Sequence, residues 1–254
     1  MHKVEENIER VKARLQTAAV AGGRDPNSVM LLAVSKTRDT KSIQQAAQTG
    51  ITDFGENYLQ EALEKIDILK SLGLKWHFIG PIQSNKTRQI AENFSWVHSI
   101  GRLKIAQRLS AQRPSTMAPL NICLQVNIDQ EATKAGFSGD EIPLVVEEIA
   151  QLPNIKLRGL MTIPAAQHDP IAQRLPFAQL RSLLEKINGS LDNCKKLDTL
   201  SMGMSADLEA AIFEQATIVR VGTDIFGPRN KTILEVNQCT QLFSSAAEIW
   251  PPVS

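Results

Sequence analysis

The chain has 254 residues, 43% of them hydrophobic and 22% charged, with a formal net charge of +1. That is the composition of an ordinary globular protein, long enough for one α/β barrel or one to two smaller domains, and the balanced charge calls for neither nucleic acid nor an anionic membrane. No apolar run approaches a membrane span, Met1–Glu6 lacks the apolar core of a signal peptide, and Cys123, Cys194 and Cys239 show neither a disulfide framework nor a zinc spacing, so the cytoplasm is the expected compartment.

Val4 to Ala21 reads as an amphipathic helix, with Val4, Ile8, Val11 and Leu15 on one face and Gly22-Gly23 ending it. Met30-Leu31-Leu32-Ala33-Val34 follows, an unbroken apolar run that suits a strand buried on both faces, and it meets Ser35-Lys36. Thr40 is the expected cap of a helix over 41–49. Strands are predicted at 53–57, 76–79, 96–99, 120–126, 157–161, 199–201 and 218–221. Helices are predicted at 58–72, after Gln83-Ser84-Asn85-Lys86, at 102–112, near Pro143, at 171–187 and at 205–215 capped by Ser205. In the 58–72 helix, Leu59, Leu63, Ile66 and Leu69 are expected to face inward. Strand and helix thus alternate eight times, which predicts a closed (β/α)8 barrel, the TIM barrel, over residues 1–230. The tail, 231–254, forms a separate segment with no assigned role.

In such barrels ligands bind at the carboxyl ends of the strands, which is where Lys36 falls. Its amine can be a solvated strand end or a nucleophile that forms a Schiff base. Lys41 and Arg38 lie close in sequence and, with desolvation, would favour the neutral amine that attacks an aldehyde. Phosphate sites in these barrels use the loops after strands seven and eight. Here those loops are Ser201-Met202-Gly203-Met204-Ser205 and Gly222-Thr223, each with glycine for close backbone approach and a hydroxyl donor. Arg220 lies in the apolar run 218–221 and needs an acceptor if buried. It is either in an ion pair with Glu209 or Asp224, or a donor to the ring nitrogen of pyridoxal phosphate bound on Lys36. An arginine in that place keeps the ring nitrogen unprotonated and weakens the electron sink. Asn57 is either a turn residue or a hydrogen-bond partner of the cofactor's phenolate oxygen. His77 reads as a packed histidine, and Lys86 and Lys134 as rim cations able to attract anions. No metal-ligand spacing or dinucleotide fingerprint is present.

Leu32-Ala33-Val34-Ser35-Lys36, Phe54-Gly55-Glu56-Asn57-Tyr58, His77-Phe78-Ile79-Gly80-Pro81, Arg158-Gly159-Leu160-Met161, Ser201-Met202-Gly203-Met204-Ser205 and Arg220-Val221-Gly222-Thr223-Asp224 occur together in this order. With them the chain strongly resembles the YggS/PROSC family of pyridoxal phosphate homeostasis proteins over about residues 4–230. The resemblance implies a barrel like the N-terminal domain of alanine racemase, without that enzyme's C-terminal β-domain. It implies pyridoxal 5'-phosphate held covalently as a Schiff base on Lys36, phosphate contacts from Ser201, Gly222 and Thr223, and Arg220 at the ring nitrogen. It also implies a role in vitamin B6 and amino-acid homeostasis with no established reaction. Nothing transfers to the tail.

The expected function is therefore a non-catalytic cofactor carrier or regulator, monomeric, whose partners are pyridoxal phosphate and pyridoxal phosphate-dependent apo-enzymes or regulatory proteins. A fold-type III amino-acid racemase is the alternative, and it needs a second acid–base group for which the single tyrosine, Tyr58, is a poor candidate beside a helix-start role. A Schiff-base aldolase acting on a phosphorylated sugar through Lys36 is the third, and it would be colourless at rest.

Overall fold

In the computed structural model, which describes residues 3–131, 135–167 and 169–228, eight parallel strands close into a barrel in sequence order. The first half runs α1 (Lys3–Ala21), β1 (Met30–Val34), α2 (Thr40–Gln48), β2 (Asp53–Glu56), α3 (Leu59–Ile68), β3 (Lys75–Phe78), α4 (Thr87–Asn93), β4 (Trp96–Ile100) and α5 (Leu103–Gln112). The second half runs β5 (Leu120–Gln125), α6 (Ile142–Ile149), β6 (Ile155–Met161), α7 (Pro170–Gly189), β7 (Thr199–Ser201), α8 (Leu208–Phe213), β8 (Ile218–Val221) and α9 (Thr223–Phe226). Closure is made by β8 pairing back on β1, with Leu32 opposite Arg220 and Ala33 opposite Val221. The tail, 231–254, lies outside the described residues, as do Lys134 and Cys239.

Strand alternation divides the apolar residues into two cores. Ala33, Phe54, Val97, Ile122 and Leu160 face outward into the layer shared with the helices. Leu32, Trp96, Cys123, Met161 and Ile218 come from strands alone and fill the barrel interior. At the amino end the Arg158 guanidinium lies 4.9 Å over the Trp96 ring and pairs with Asp198 at 2.7 Å, so that end is stoppered.

The outer ring differs from eight equal helices. Among the described residues β8 is followed by the four-residue α9, and α1 packs beside it against α8, α9 and α2. Asn7 Nδ2 donates to the Ile225 carbonyl at 2.8 Å, and Arg14 binds both Glu209 and Asp224. The N-terminal helix therefore serves as the eighth outer helix. Among the described residues no helix is long and apolar enough to cross a membrane.

Three local expectations need correction. Asp39, not Thr40, caps α2, its carboxylate accepting from Ser42 N–H. The helix expected from Ser205 starts at Leu208, because Asp207 Oδ1 accepts from Met204 N–H and keeps 204–207 as a turn. Around α3, Leu59 and Ile66 pack against the core and Leu69 is buried, as expected, but the buried positions of the helix itself, Ala62 and Lys65, were not among those expected to face inward.

Candidate functional site

The site is built at the carboxyl ends of β1, β2, β7 and β8. The apolar run of β1 pairs with β2 at Val34–Gly55, and Lys36 and Asn57 each stand two residues past that pair. On the other side Gly222 packs against β1: a Cβ there would lie 3.1 Å from the Val34 carbonyl oxygen. The sequence-predicted Lys36, Asn57, Gly222 and Thr223 are thus brought to one end of the barrel. Asn57 has a side-chain Oδ1 that is buried without a hydrogen-bond partner, an acceptor that only a donor would satisfy.

The chain around Lys36 is bent. Thr37 has φ 61°, a conformation β-branched residues avoid. Beneath the bend sits a charged cluster. Ser35 Oγ donates to Glu56 Oε1 at 2.6 Å, Lys65 Nζ donates to the same oxygen at 2.8 Å, and Glu61 Oε1 accepts from Thr37 N–H at 2.6 Å. Burial pushes the Glu56 carboxyl up to about 7, against the pull of Lys65. Arg38, beside the bend, donates to the Gly227 carbonyl just beyond α9.

Across the barrel, the loop after β7 is tied to β8 by Arg220 N–H donating to the Gly203 carbonyl at 3.0 Å. Gly203 takes φ +90°, and a Cβ on it would meet Ala211 Cβ at 2.5 Å, so this turn admits glycine alone. After β8, Gly222 leads into α9, whose first N–H groups have no acceptor inside the helix. Thr223 is exposed at its start. These backbone donors suit an anionic group.

Arg220 points inward, as alternation with Ile218 requires. It does not pair with Glu209 or Asp224; those carboxylates lie on the outer helices and hold Arg14. Its Nη1 donates to the Ser201 carbonyl at 2.6 Å and to Ser201 Oγ at 2.9 Å, and its Nη2 to the Thr162 carbonyl at 2.9 Å. Burial lowers its pKa to about 10, which leaves it charged at neutral pH. Three of the five guanidinium N–H groups are so used.

Ser201, expected to contact the phosphate, has its hydroxyl bonded within the protein. It is fully buried, and its hydroxyl faces the barrel interior, 2.7 Å from His98 Nδ1. The last residue of a three-residue strand alternates with Leu200 and cannot turn outward while β7 is paired.

His98 Nε2 is 2.9 Å from His77 Nδ1, and His77 Nε2 is 3.0 Å from Asp53 Oδ1. The two ends fix the direction of every bond. Arg220 only donates and the Asp53 carboxylate only accepts, so Ser201 donates to His98, His98 to His77 and His77 to Asp53. Burial holds both imidazoles below the usual histidine range, His98 further down with His77 and Arg220 adding to it. Burial alone would raise Asp53, but its bonds from His77 and Thr52 hold it below the ordinary carboxylate value. Sequence reasoning singled out His77 as packed and missed Asp53 and His98. Their parity with Gly55 and Trp96 was the only available signal.

Tyr58 sits at the N-cap position of α3, where its carbonyl accepts from Ala62 N–H. Lys41 is exposed and Lys86 is half-buried at the foot of α4.

Residues 2–230 match the family model described as alanine racemase, N-terminal domain. The chain is 57% identical over 230 residues to the pyridoxal phosphate homeostasis protein of Pseudomonas aeruginosa, covering 91% of this chain and 97% of the relative. With the protein of the same name from Escherichia coli K12 the identity is 44%, covering 91% and 98%. Among solved structures, PipY of Synechococcus elongatus with PLP bound superposes with a TM-score of 0.77 at 33% identity, over 88% of this chain and all of that one. Alanine racemase from Corynebacterium glutamicum gives a TM-score of 0.63 at 17% identity over 87% of this chain and 61% of that one, a likeness of fold alone.

Proposed function

This chain belongs to the family of pyridoxal phosphate homeostasis proteins, built on the alanine racemase N-terminal domain, and from that premise we propose that it binds pyridoxal 5'-phosphate through Lys36 and serves vitamin B6 and amino-acid homeostasis as a monomeric, non-catalytic, cytoplasmic carrier or regulator. The observation that carries the reading is the meeting of Lys36 and Asn57 with the glycine turns after β7 and β8 at one end of the barrel. When bound, the cofactor supplies an aldehyde for a Schiff base with the Lys36 amine and a ring that absorbs visible light.

The protein's own residues divide the remaining work. Asn57 offers its amide to the phenolate oxygen beside Lys36. Gly222 lets the backbone approach closely, and the N–H groups at the start of α9 with the Thr223 hydroxyl receive the phosphate. Arg220 holds the ring nitrogen as a donor. Ser201 acts at one remove, by fixing Arg220. Against a racemase reaction, His77 and His98 are neutral, buried and bonded to each other, and Tyr58 starts a helix.

The test is the visible spectrum of the purified chain, before and after borohydride, beside Lys36→Ala. A yellow protein whose band borohydride removes, with the label fixed at Lys36, is the expected result. A chain that stays colourless with added pyridoxal phosphate sinks the reading and favours a cofactor-free aldolase. Carrier function further requires that the loaded protein deliver pyridoxal phosphate to an apo-enzyme faster than release into buffer alone.

A further inference from the structure

The ligand contacts proposed above leave the charged cluster beneath Lys36 without a role. Lys65 is 5% exposed and Glu56 is 0% exposed. All three N–H bonds of the Lys65 ammonium are used, on the Ser35 carbonyl at 2.8 Å, Glu56 Oε1 at 2.8 Å and Glu61 Oε1 at 2.5 Å. Stability alone is a poor reason for such a cluster, since apolar residues of the same volume hold a helix on a sheet as well or better.

Its geometry supplies a better reason. The cluster grips the main chain on both sides of one residue. Lys65 holds the carbonyl of Ser35, Glu56 holds the hydroxyl of Ser35, and Glu61 holds the N–H of Thr37. Lys36 lies between these anchors. Thr37 is kept at φ 61°, a strained conformation that persists only where the surroundings over-determine it.

We propose that Lys65, Glu56 and Glu61 form a positioning unit for Lys36, which maintains the bend that presents its amine to the aldehyde and so governs how fast the cofactor is released. This rests on the reading of Lys36 as the cofactor lysine. The three residues act through the backbone and do not touch the ligand. α3, which carries Lys65 and Glu61, thereby becomes the element through which retention of the cofactor can be altered without changing any group that contacts it.

The experiment uses the full chain with Glu61→Met and Glu61→Gln. Glu61 has a side chain 19% exposed, so the cluster is entered from its rim. Gln keeps an oxygen for Thr37 N–H; Met does not. Without cofactor, hydrogen exchange at Thr37 is expected to speed up about tenfold or more in the Met variant and to stay near wild type in the Gln variant. Exchange in α5 is the control for global loosening. With pyridoxal phosphate loaded and an excess of apo-enzyme as trap, release, read as the activity the trap regains, is expected to be about tenfold faster for Met and within about twofold of wild type for Gln. A wild-type chain without a borohydride-sensitive band overturns the cofactor reading and this proposal together. A wild-type chain with the band, and Glu61→Met releasing at its rate, overturns the proposal alone.

Discussion

Arg220, Ser201, His98, His77 and Asp53 form a chain in which each link joins one donor to one acceptor, whereas the cluster of Lys65, Glu56 and Glu61 leaves Glu56 Oε2 and the neighbouring Thr37 Oγ1 buried without a partner. Charge sits only at the two ends of the first and is concentrated in the second. The first spans five strands through the barrel interior. The second lies between β1, β2 and α3, under the bend at Lys36. A satisfied neutral chain has one arrangement and resists change. A charged cluster with an orphaned oxygen, beside a strained residue, has an alternative protonation state close to hand. In the binding mode proposed above, the cofactor's ring end would therefore rest on the rigid network and its covalent anchor on the adjustable one.

The sharpest way to break that contrast is Lys65→Met. It leaves two carboxylates facing each other in a buried site and is expected to cost about 3–5 kcal/mol in urea unfolding at pH 8. At pH 6 the loss should be smaller, because Glu56 can take a proton. An equal loss at both pH values would show that Glu56 is not the responsive member.

Glu56→Gln isolates the titration itself. The folded-state pKa of about 7 lies above the ordinary glutamate value of 4.5, so folding takes up a proton between those limits. Stability from this group is fully present below about pH 4.5 and is lost as pH rises through 7. The size of the loss is up to about 3 kcal/mol. The Gln variant should show a flatter stability–pH profile over this window, measured by urea melts at half-unit steps. A profile parallel to wild type would remove Glu56 as its source.

In the interior chain, His98→Leu strands the Ser201 hydroxyl and His77 Nδ1 and should cost about 2–3 kcal/mol. Because the fold holds His98 neutral while the unfolded chain protonates it below its ordinary value of 6.5, its removal also removes a proton-linked cost, and this loss should be smaller at pH 6 than at pH 8. Nitrogen NMR of the wild-type protein should find both rings protonated at Nε2 alone. The mildest change, Ser201→Ala, removes one donor to His98 and one acceptor from Arg220, and about 1–2 kcal/mol is expected. It should also shift the visible band of the loaded protein by loosening Arg220. A band that stays in place would separate Ser201 from the ring nitrogen.

Much of the frame was readable one element at a time. The apolar run into Lys36, the strand bounds at 199–201 and 218–221, and the glycine turns after them follow from local rules of burial, alternation and backbone freedom. Those rules also placed Lys36, Asn57, Gly222 and Thr223 at a common end. They failed where partners are distant. Glu61 and Lys65 stand four apart on a helix, the spacing of a solvated surface pair, and only packing of α3 against β2 buries them. Ser201 looked like a phosphate donor because a hydroxyl before a glycine turn is the usual form of one; its actual partners, His98 and Arg220, arrive 103 and 19 residues away in the chain.

The sequence by itself determined the alternation of strand and helix, the parity of each strand, and hence which residues stand at the ligand end, since these depend on neighbours a few residues apart. Tertiary structure alone decided that α1 packs against α8, α9 and α2 in the outer layer, that Arg220 pairs inward and not with Glu209 or Asp224, and that a lysine and two glutamates close under Lys36. Those outcomes depend on barrel closure, which brings residues from separate strands within hydrogen-bonding distance, where burial then dictates which charges must meet and which groups stay neutral.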